Sequence, residues 1–273
     1  LSEQEHPHEP DNYIYSRYRN PTVVQVEKQL MQLEECNWAI LVETGMAAID
    51  VAVSIFQKGS KTRPWLFFHE IYGGTNSFID SILIKRRDLD VHRFYADEGN
   101  YDYVKLENIL KEIKPEFLYF EAVSNPMLIV ADVKQILALA KKYETKIIVD
   151  NTFGTPFLWK PLADGADLVI HSATKYLSGH GNITAGVICG NDKELMKEAI
   201  EYRIWSGHFL SPDDAYRLGS QLKSFNLRFK QHCKNALVIA NYLENHSKIE
   251  SVLYPGLESH PTHKEAISLF EHK

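Results

Sequence analysis

Asp167-Leu-Val-Ile-His-Ser-Ala-Thr-Lys-Tyr-Leu-Ser-Gly-His180 is the stretch that decides the fold. Its apolar run, Leu168 to His171, reads as a short buried strand. Ser172, Thr174 and Lys175 follow at once. Ligands of open α/β sheets bind beyond the carboxyl ends of the strands, where hydroxyls can hold a phosphate while an amine reacts with a carbonyl. Upstream, Lys146-Ile-Ile-Val-Asp150 is a second apolar strand, and this one ends in a carboxylate. Either stretch alone suits the loops of an ordinary α/β protein. Both together, in this order, point to chemistry. An amine that forms an imine and an acid that keeps a pyridine nitrogen protonated are the two groups pyridoxal 5′-phosphate (PLP) requires.

Working outward, apolar runs at 65–69, 91–94, 117–120, 146–149, 168–171 and 185–189 alternate with helical patterns. Those patterns cover 23–35, 46–56, 74–83, 103–114, 133–143 and 193–205. Such alternation predicts βαβ units, a mostly parallel sheet and a doubly wound α/β fold. Ser211 is a good N-cap for a long helix running from 212 to about 244, and 249–253 reads as the first strand of a second domain. Gly45 and Met46 sit where a strand-like segment at 39–42 turns into a helix. Glycine there lets the backbone approach an anion, and the helix N-terminus offers free N–H groups.

The 273 residues are 44% hydrophobic and 24% charged, enough for one large domain or two smaller ones. A net charge of −6 argues against a nucleic-acid surface. The one basic run, Lys85-Arg-Arg87, reads as a solvated helix end. Cys36, Cys189 and Cys233 have neither metal-ligand nor disulfide spacing, which suits a reducing, cytoplasmic setting. His6-Pro-His8 reads as a polar end rather than a metal pair. No window reaches the apolar length of a membrane span, and no secretory signal opens the chain. The chain starts at Leu1 and stops within a helical pattern, so it is expected to be a fragment or the ordered part of a longer polypeptide.

Six motifs, taken in order, resemble the Cys/Met-metabolism PLP enzymes. They are Tyr15-Ser-Arg-Tyr-Arg-Asn-Pro-Thr22, Thr44-Gly-Met-Ala-Ala48, Tyr72-Gly-Gly-Thr75, Glu121-Ala-Val-Ser-Asn-Pro126, Val149-Asp-Asn-Thr-Phe153 and Ser172-Ala-Thr-Lys-Tyr176. Tyr254-Pro-Gly-Leu-Glu-Ser-His-Pro261 extends the likeness, which covers about 13 to 263. The resemblance implies a fold-type I, aminotransferase-like architecture. Residues 1–22 would be an N-terminal arm, 23–210 the PLP-binding domain, and 211–273 a connecting helix with the start of an incomplete C-terminal domain.

The resemblance also implies roles. Lys175 carries the cofactor and then acts as base. Asp150 holds the ring nitrogen, Tyr72 faces the ring, Asn125 reaches the 3′ oxygen with Glu121 in support, and Thr152 packs near the ring. Gly45, Met46, Ser172 and Thr174 cup the phosphate. Lys175, following a buried strand, is expected not to be fully exposed. Tyr15 and Arg17, which by themselves describe only a solvated arm, would reach a neighbouring subunit's phosphate in a homo-oligomer, a dimer or dimer of dimers. Gly179-His-Gly-Asn182, Gln221-Leu-Lys-Ser-Phe225 (with Arg228 retained), Gly73 and the loops 61–65 and 85–92 depart from the family pattern. The family's substrate-carboxylate arginine falls beyond position 273.

The implied activity is β/γ-elimination or γ-replacement on a small Cys, homocysteine or homoserine derivative, of the cystathionine γ-lyase or γ-synthase type. O-acylhomoserine sulfhydrylase and methionine γ-lyase are alternatives. A PLP-fold protein without catalysis, serving a structural or regulatory role, is a rival of another class. A nucleotide-binding α/β protein is disfavoured because no G-x-G-x-x-G or P-loop is present.

Overall fold

The structure, a computed structural model, describes residues 13–59 and 62–270. His6-Pro-His8, most of the arm, position 61 and the last three residues lie outside them.

Seven strands form one sheet: β1 (Trp38–Val42), β2 (Trp65–Phe68), β3 (Val91–Phe94), β4 (Phe117–Glu121), β5 (Lys146–Asp150), β6 (Leu168–His171) and β7 (Gly186–Gly190). Their order is β1-β7-β6-β5-β4-β2-β3, and β7 alone runs against its neighbours. All of β1, β2, β4, β6 and β7 is buried, as continuous apolar strands covered on both faces should be. Phe117 packs against Trp65 at 5.0 Å and Phe56 at 5.3 Å between ring centroids, tying β4 to β2 and to the segment after the second helix.

Helices begin where a short polar side chain takes an otherwise unpaired N–H. Asn20 caps α1 (Pro21–Glu34), with Pro in the first turn, and Thr44 caps α2 (Gly45–Ser54). α3 (Gly73–Phe78) continues as a π-helical segment over Ile79–Ile84. Asp102 and Asp132 cap α4 (Tyr103–Ile113) and α5 (Val133–Lys142). Short α6 (Thr155–Leu158) and α7 (Pro161–Asp164) precede β6, and Asp192 caps α8 (Lys193–Ser206).

The expected helix over 212–244 is two helices, α9 (Pro212–Leu222) and α10 (Phe225–Glu244). Ser211 caps the first as anticipated. Ser224, at φ −103° and ψ 1°, ends the ladder, and Arg228 reaches back to the Gln221 carbonyl at 3.1 Å and the Ser224 hydroxyl at 3.0 Å. The same guanidinium donates to Tyr176 and Leu177 carbonyls, and it fills the space a side chain at Gly179 (φ +68°) would need. A second correction concerns 249–253, which is not a strand. An extended segment becomes one only by pairing, and no strand among the described residues lies beside it. After it the chain returns to α11 (His263–Phe270), and Thr262 accepts the Val130 N–H at 3.0 Å.

Candidate active site

Five of the six strands that share the common direction, all but the edge strand β3, deliver residues at their carboxyl ends to one cavity of about 460 Å³. β1 leads to Thr44, Gly45 and Met46; β2 to Tyr72; β4 to Glu121 and Asn125; β5 to Asp150 and Thr152; β6 to Ser172, Thr174 and Lys175.

Gly45 opens α2 against the turn that follows β6. A Cβ at Gly45 would lie 2.8 Å from Ser172 Cβ and 2.9 Å from its hydroxyl, so only glycine allows this approach. Thr44 spends its hydroxyl on the Ala47 N–H at 2.9 Å. Gly45 and Met46 then carry the first N–H groups of the helix, beyond the reach of its ladder, at the end where the dipole is positive.

Asp150 is paired in register with Glu121 across β4 and β5. Its Oδ1 accepts the Thr152 N–H at 3.0 Å and its Oδ2 accepts the Tyr119 hydroxyl at 3.2 Å. Burial pushes the Asp150 pKa up, against the pull of its bonds from Thr152, the nearby His171 charge and the Tyr119 bond. Glu121 is pushed well above the usual carboxylate range, first by burial and then by the charge of Asp150. It accepts the Tyr72 N–H at 2.7 Å and also the Asn125 N–H, so one carboxyl fastens two loops that face the cavity. The Tyr119 phenol is raised well above its ordinary value by burial and by Asp150, so it remains a neutral donor.

Tyr119 is the residue missed by reading the sequence. A tyrosine inside an apolar run, two positions before Glu121 and on the same face, was the available signal: a buried hydroxyl needs a partner. Thr152 does more than pack. Its hydroxyl accepts the Ser172 N–H at 2.8 Å and donates to Asp150, joining the ends of β5 and β6.

Thr174 and Lys175 line the same cavity. The Thr174 hydroxyl accepts the Ala185 N–H at 2.9 Å and donates to the Ala185 carbonyl at 3.2 Å, so its hydrogen is already committed to the segment before β7. Lys175, in the turn that follows β6, is exposed to solvent while lining the cavity, which is compatible with the expectation that it is not fully exposed. Tyr15 and Arg17 do not line their own chain's cavity. Arg17 donates to the Ile204 carbonyl at 2.7 Å, near the end of α8, and lies over the Tyr15 and Tyr18 rings. The basic run at 85–87 is only partly solvated: Arg87 turns in to Asp50 at 2.8 Å.

The sequence profile of the Cys/Met metabolism PLP-dependent enzymes matches residues 2–273. The chain belongs to this family. It is 38% identical over 264 residues to cystathionine β-lyase of Lactococcus lactis subsp. cremoris strain MG1363, covering 94% of this chain and 66% of that protein. It is 37% identical over 262 residues to L-methionine γ-lyase of Fusobacterium nucleatum subsp. polymorphum, covering 94% and 64%. Among solved structures, metB from Corynebacterium glutamicum superposes with a TM-score of 0.88 at 31% identity, covering 98% of this chain and 68% of that one. Cystathionine γ-synthase from Xanthomonas oryzae pv. oryzae, in complex with cystathionine, gives 0.86 at 31%, covering 94% and 65%. The chain thus spans about two thirds of the length of the curated relatives it matches. Its fold is that of the fold-type I PLP enzymes.

The cavity fits the family's cofactor on its own geometry. The Gly45–Ser172 approach leaves a helix N-terminus bare for an anion, and Asp150 offers a buried carboxyl that an opposite charge would hold ionised.

Proposed function

We propose that the protein is a PLP-dependent enzyme of sulfur amino-acid metabolism, acting by β/γ-elimination or γ-replacement on a Cys, homocysteine or homoserine derivative. We favour the cystathionine lyase or synthase type. The observation that carries this reading is the convergence of Lys175, Asp150 and the Gly45 helix terminus on one cavity.

When bound, PLP supplies an electron sink for negative charge developing at the substrate α-carbon. The residues do the rest. The N–H groups of Gly45 and Met46, with Ser172, hold the phosphate. Asp150, oriented by Tyr119 and Thr152, keeps the proton on the ring nitrogen. An opposite charge at contact distance favours the carboxylate by about 1–3 pKa units, roughly 1.4–4 kcal/mol, which offsets the burial of Asp150. Lys175 carries the cofactor and later moves the proton at the α-carbon. Tyr72 would face the ring, and Gly74 leaves room for its side chain: a Cβ at Gly74 would lie 2.4 Å from the Tyr72 ring. Asn125 is held by Glu121 for the ring's 3′ oxygen.

The proposed active unit is a homo-oligomer in which Tyr15 and Arg17 complete a neighbour's phosphate site. Arg suits this because its planar fork pairs with phosphate oxygens.

Borohydride reduction of protein incubated with PLP tests the cofactor assignment. Label is expected on the peptide containing Lys175, and Lys175→Ala should lose the visible absorption band. Label on another lysine refutes the assignment. A colourless protein that takes up no PLP supports the non-catalytic reading instead.

A further inference from the structure

His208 lies in the loop after α8, outside the cavity lining, yet it grips the helix that the cofactor reading depends on. Its Nδ1 meets Glu43 Oε1 at 2.7 Å, and its Nε2 meets Asp50 Oδ2 at 3.2 Å. Glu43 is the residue immediately before the Thr44 cap, and Asp50 is on α2 itself. Ionised carboxylates only accept hydrogen bonds, so a ring that faces one at each nitrogen must donate from both. The geometry therefore describes an imidazolium. Both oxygens of Asp50 are braced as well. It accepts from Ser54 at 2.8 Å, from Arg87 at 2.8 Å and from the Tyr202 hydroxyl at 3.2 Å. The His208 N–H is tied to the Arg203 carbonyl at 3.1 Å. Among the described residues, Glu43, Asp50, Arg87 and Tyr202 are the titratable side chains bonded around the bridge, from the turn before α2, α2 itself, the segment after α3 and α8.

We propose that His208 is a positioning residue for the anion-binding end of α2. By bridging Glu43 and Asp50 it fixes the strand-to-helix turn that presents Gly45 and Met46, and together with Arg87 it balances the charge of two acids near the phosphate-binding end of the helix. The inference rests on the cofactor reading given above and extends it to a residue that never touches the cofactor.

Asp50 is lowered to about 2 by its bonds to His208, Ser54 and Arg87, which outweigh its burial. His208 is raised, first by its bond to Asp50 and then, against its burial, by Glu43. The sign follows. A histidine whose folded pKa is raised gives its full contribution below the ordinary value of about 6.5, and loses it as pH rises through the raised value. Grip on the phosphate is therefore strongest on the acid side and weakens toward alkaline pH.

The test compares affinities for PLP and for pyridoxal, which lacks the phosphate, between about pH 6 and about pH 9, the window in which a raised histidine titrates. Their ratio isolates the phosphate's share. In the unaltered chain that share should fall with rising pH by about three- to tenfold beyond the fall common to all variants, the scale of one charge-assisted hydrogen bond acting through a neighbour. His208→Gln, which cannot donate to two carboxylates with full charge, should show the low ratio throughout. His208→Arg keeps a fixed charge and a two-sided fork, so its ratio should remain high to alkaline pH. A His208→Gln profile that overlays the unaltered one, or a His208→Arg ratio that falls as the unaltered one does, overturns the proposal. If the unaltered chain binds neither PLP nor pyridoxal, the cofactor reading itself fails and this inference with it.

Discussion

Replacing Gly45 by Ala sets two well-defined effects against each other. Gly45 is the first residue of α2 and does not have a positive φ, so alanine can adopt its backbone conformation. Helix propensity alone would make the change stabilising by at most about 1 kcal/mol. The new methyl, however, would stand 2.8 Å from Ser172 Cβ, 2.9 Å from its Oγ and 3.2 Å from its Cα. The last of these is backbone, and Ser172 is pinned by the Thr152 hydroxyl at 2.8 Å, so the wall cannot swing aside as a flexible side chain would. Overpacking of this kind costs about 1–3 kcal/mol. The contact should win, leaving a net loss of about 1–2 kcal/mol. A displaced turn also weakens two charge-assisted contacts to phosphate, each worth about 1.5–3 kcal/mol when fully made, so PLP affinity should fall by at least about tenfold. Urea denaturation of the cofactor-free chain gives the first quantity and a PLP titration the second. A variant as stable as the unaltered chain, binding PLP as tightly, would refute the argument that β6 and α2 form a cradle only glycine can close.

Asp150→Asn is expected to keep some PLP but lose nearly all turnover, because a neutral amide no longer favours a protonated ring nitrogen; near-normal kcat would remove Asp150 from that role. Mixing inactive Arg17→Ala with inactive Lys175→Ala protein should restore part of the activity, since one site of a mixed dimer joins an intact lysine to an intact arm. Subunits that exchange without recovery would mean that the arm serves its own chain or no site.

The elements most faithfully written in the sequence are those with local causes. Thr44, Asp102, Asp132, Asp192 and Ser211 cap their helices within three residues of their own positions. The buried strands of the sheet announce themselves as unbroken apolar runs because both faces are covered. Where periodicity failed, the cause was distant or absent. The break at Ser224 is stabilised by Arg228, which also reaches the turn after β6, and the 249–253 segment lacks a strand to pair with among the described residues.

By itself the sequence determined that this chain carries a strand ending at Asp150, a strand ending before Lys175 and a glycine opening a helix, and that such residues suit one phosphorylated, electron-withdrawing cofactor. Only the tertiary structure decided how they are supported. It set β7 against its neighbours, so that Ala185 claims the Thr174 hydroxyl, and it put Tyr119 and Thr152 on Asp150. It gave Glu121 the loops of both Tyr72 and Asn125, and it bridged Glu43 to Asp50 through His208. The division has one physical reason. Caps, strand runs and turn chemistry act over a few residues of chain, whereas hydrogen bonds across a sheet and the burial that shifts a carboxyl's pKa depend on strand order. Strand order is set by the packing of the whole domain.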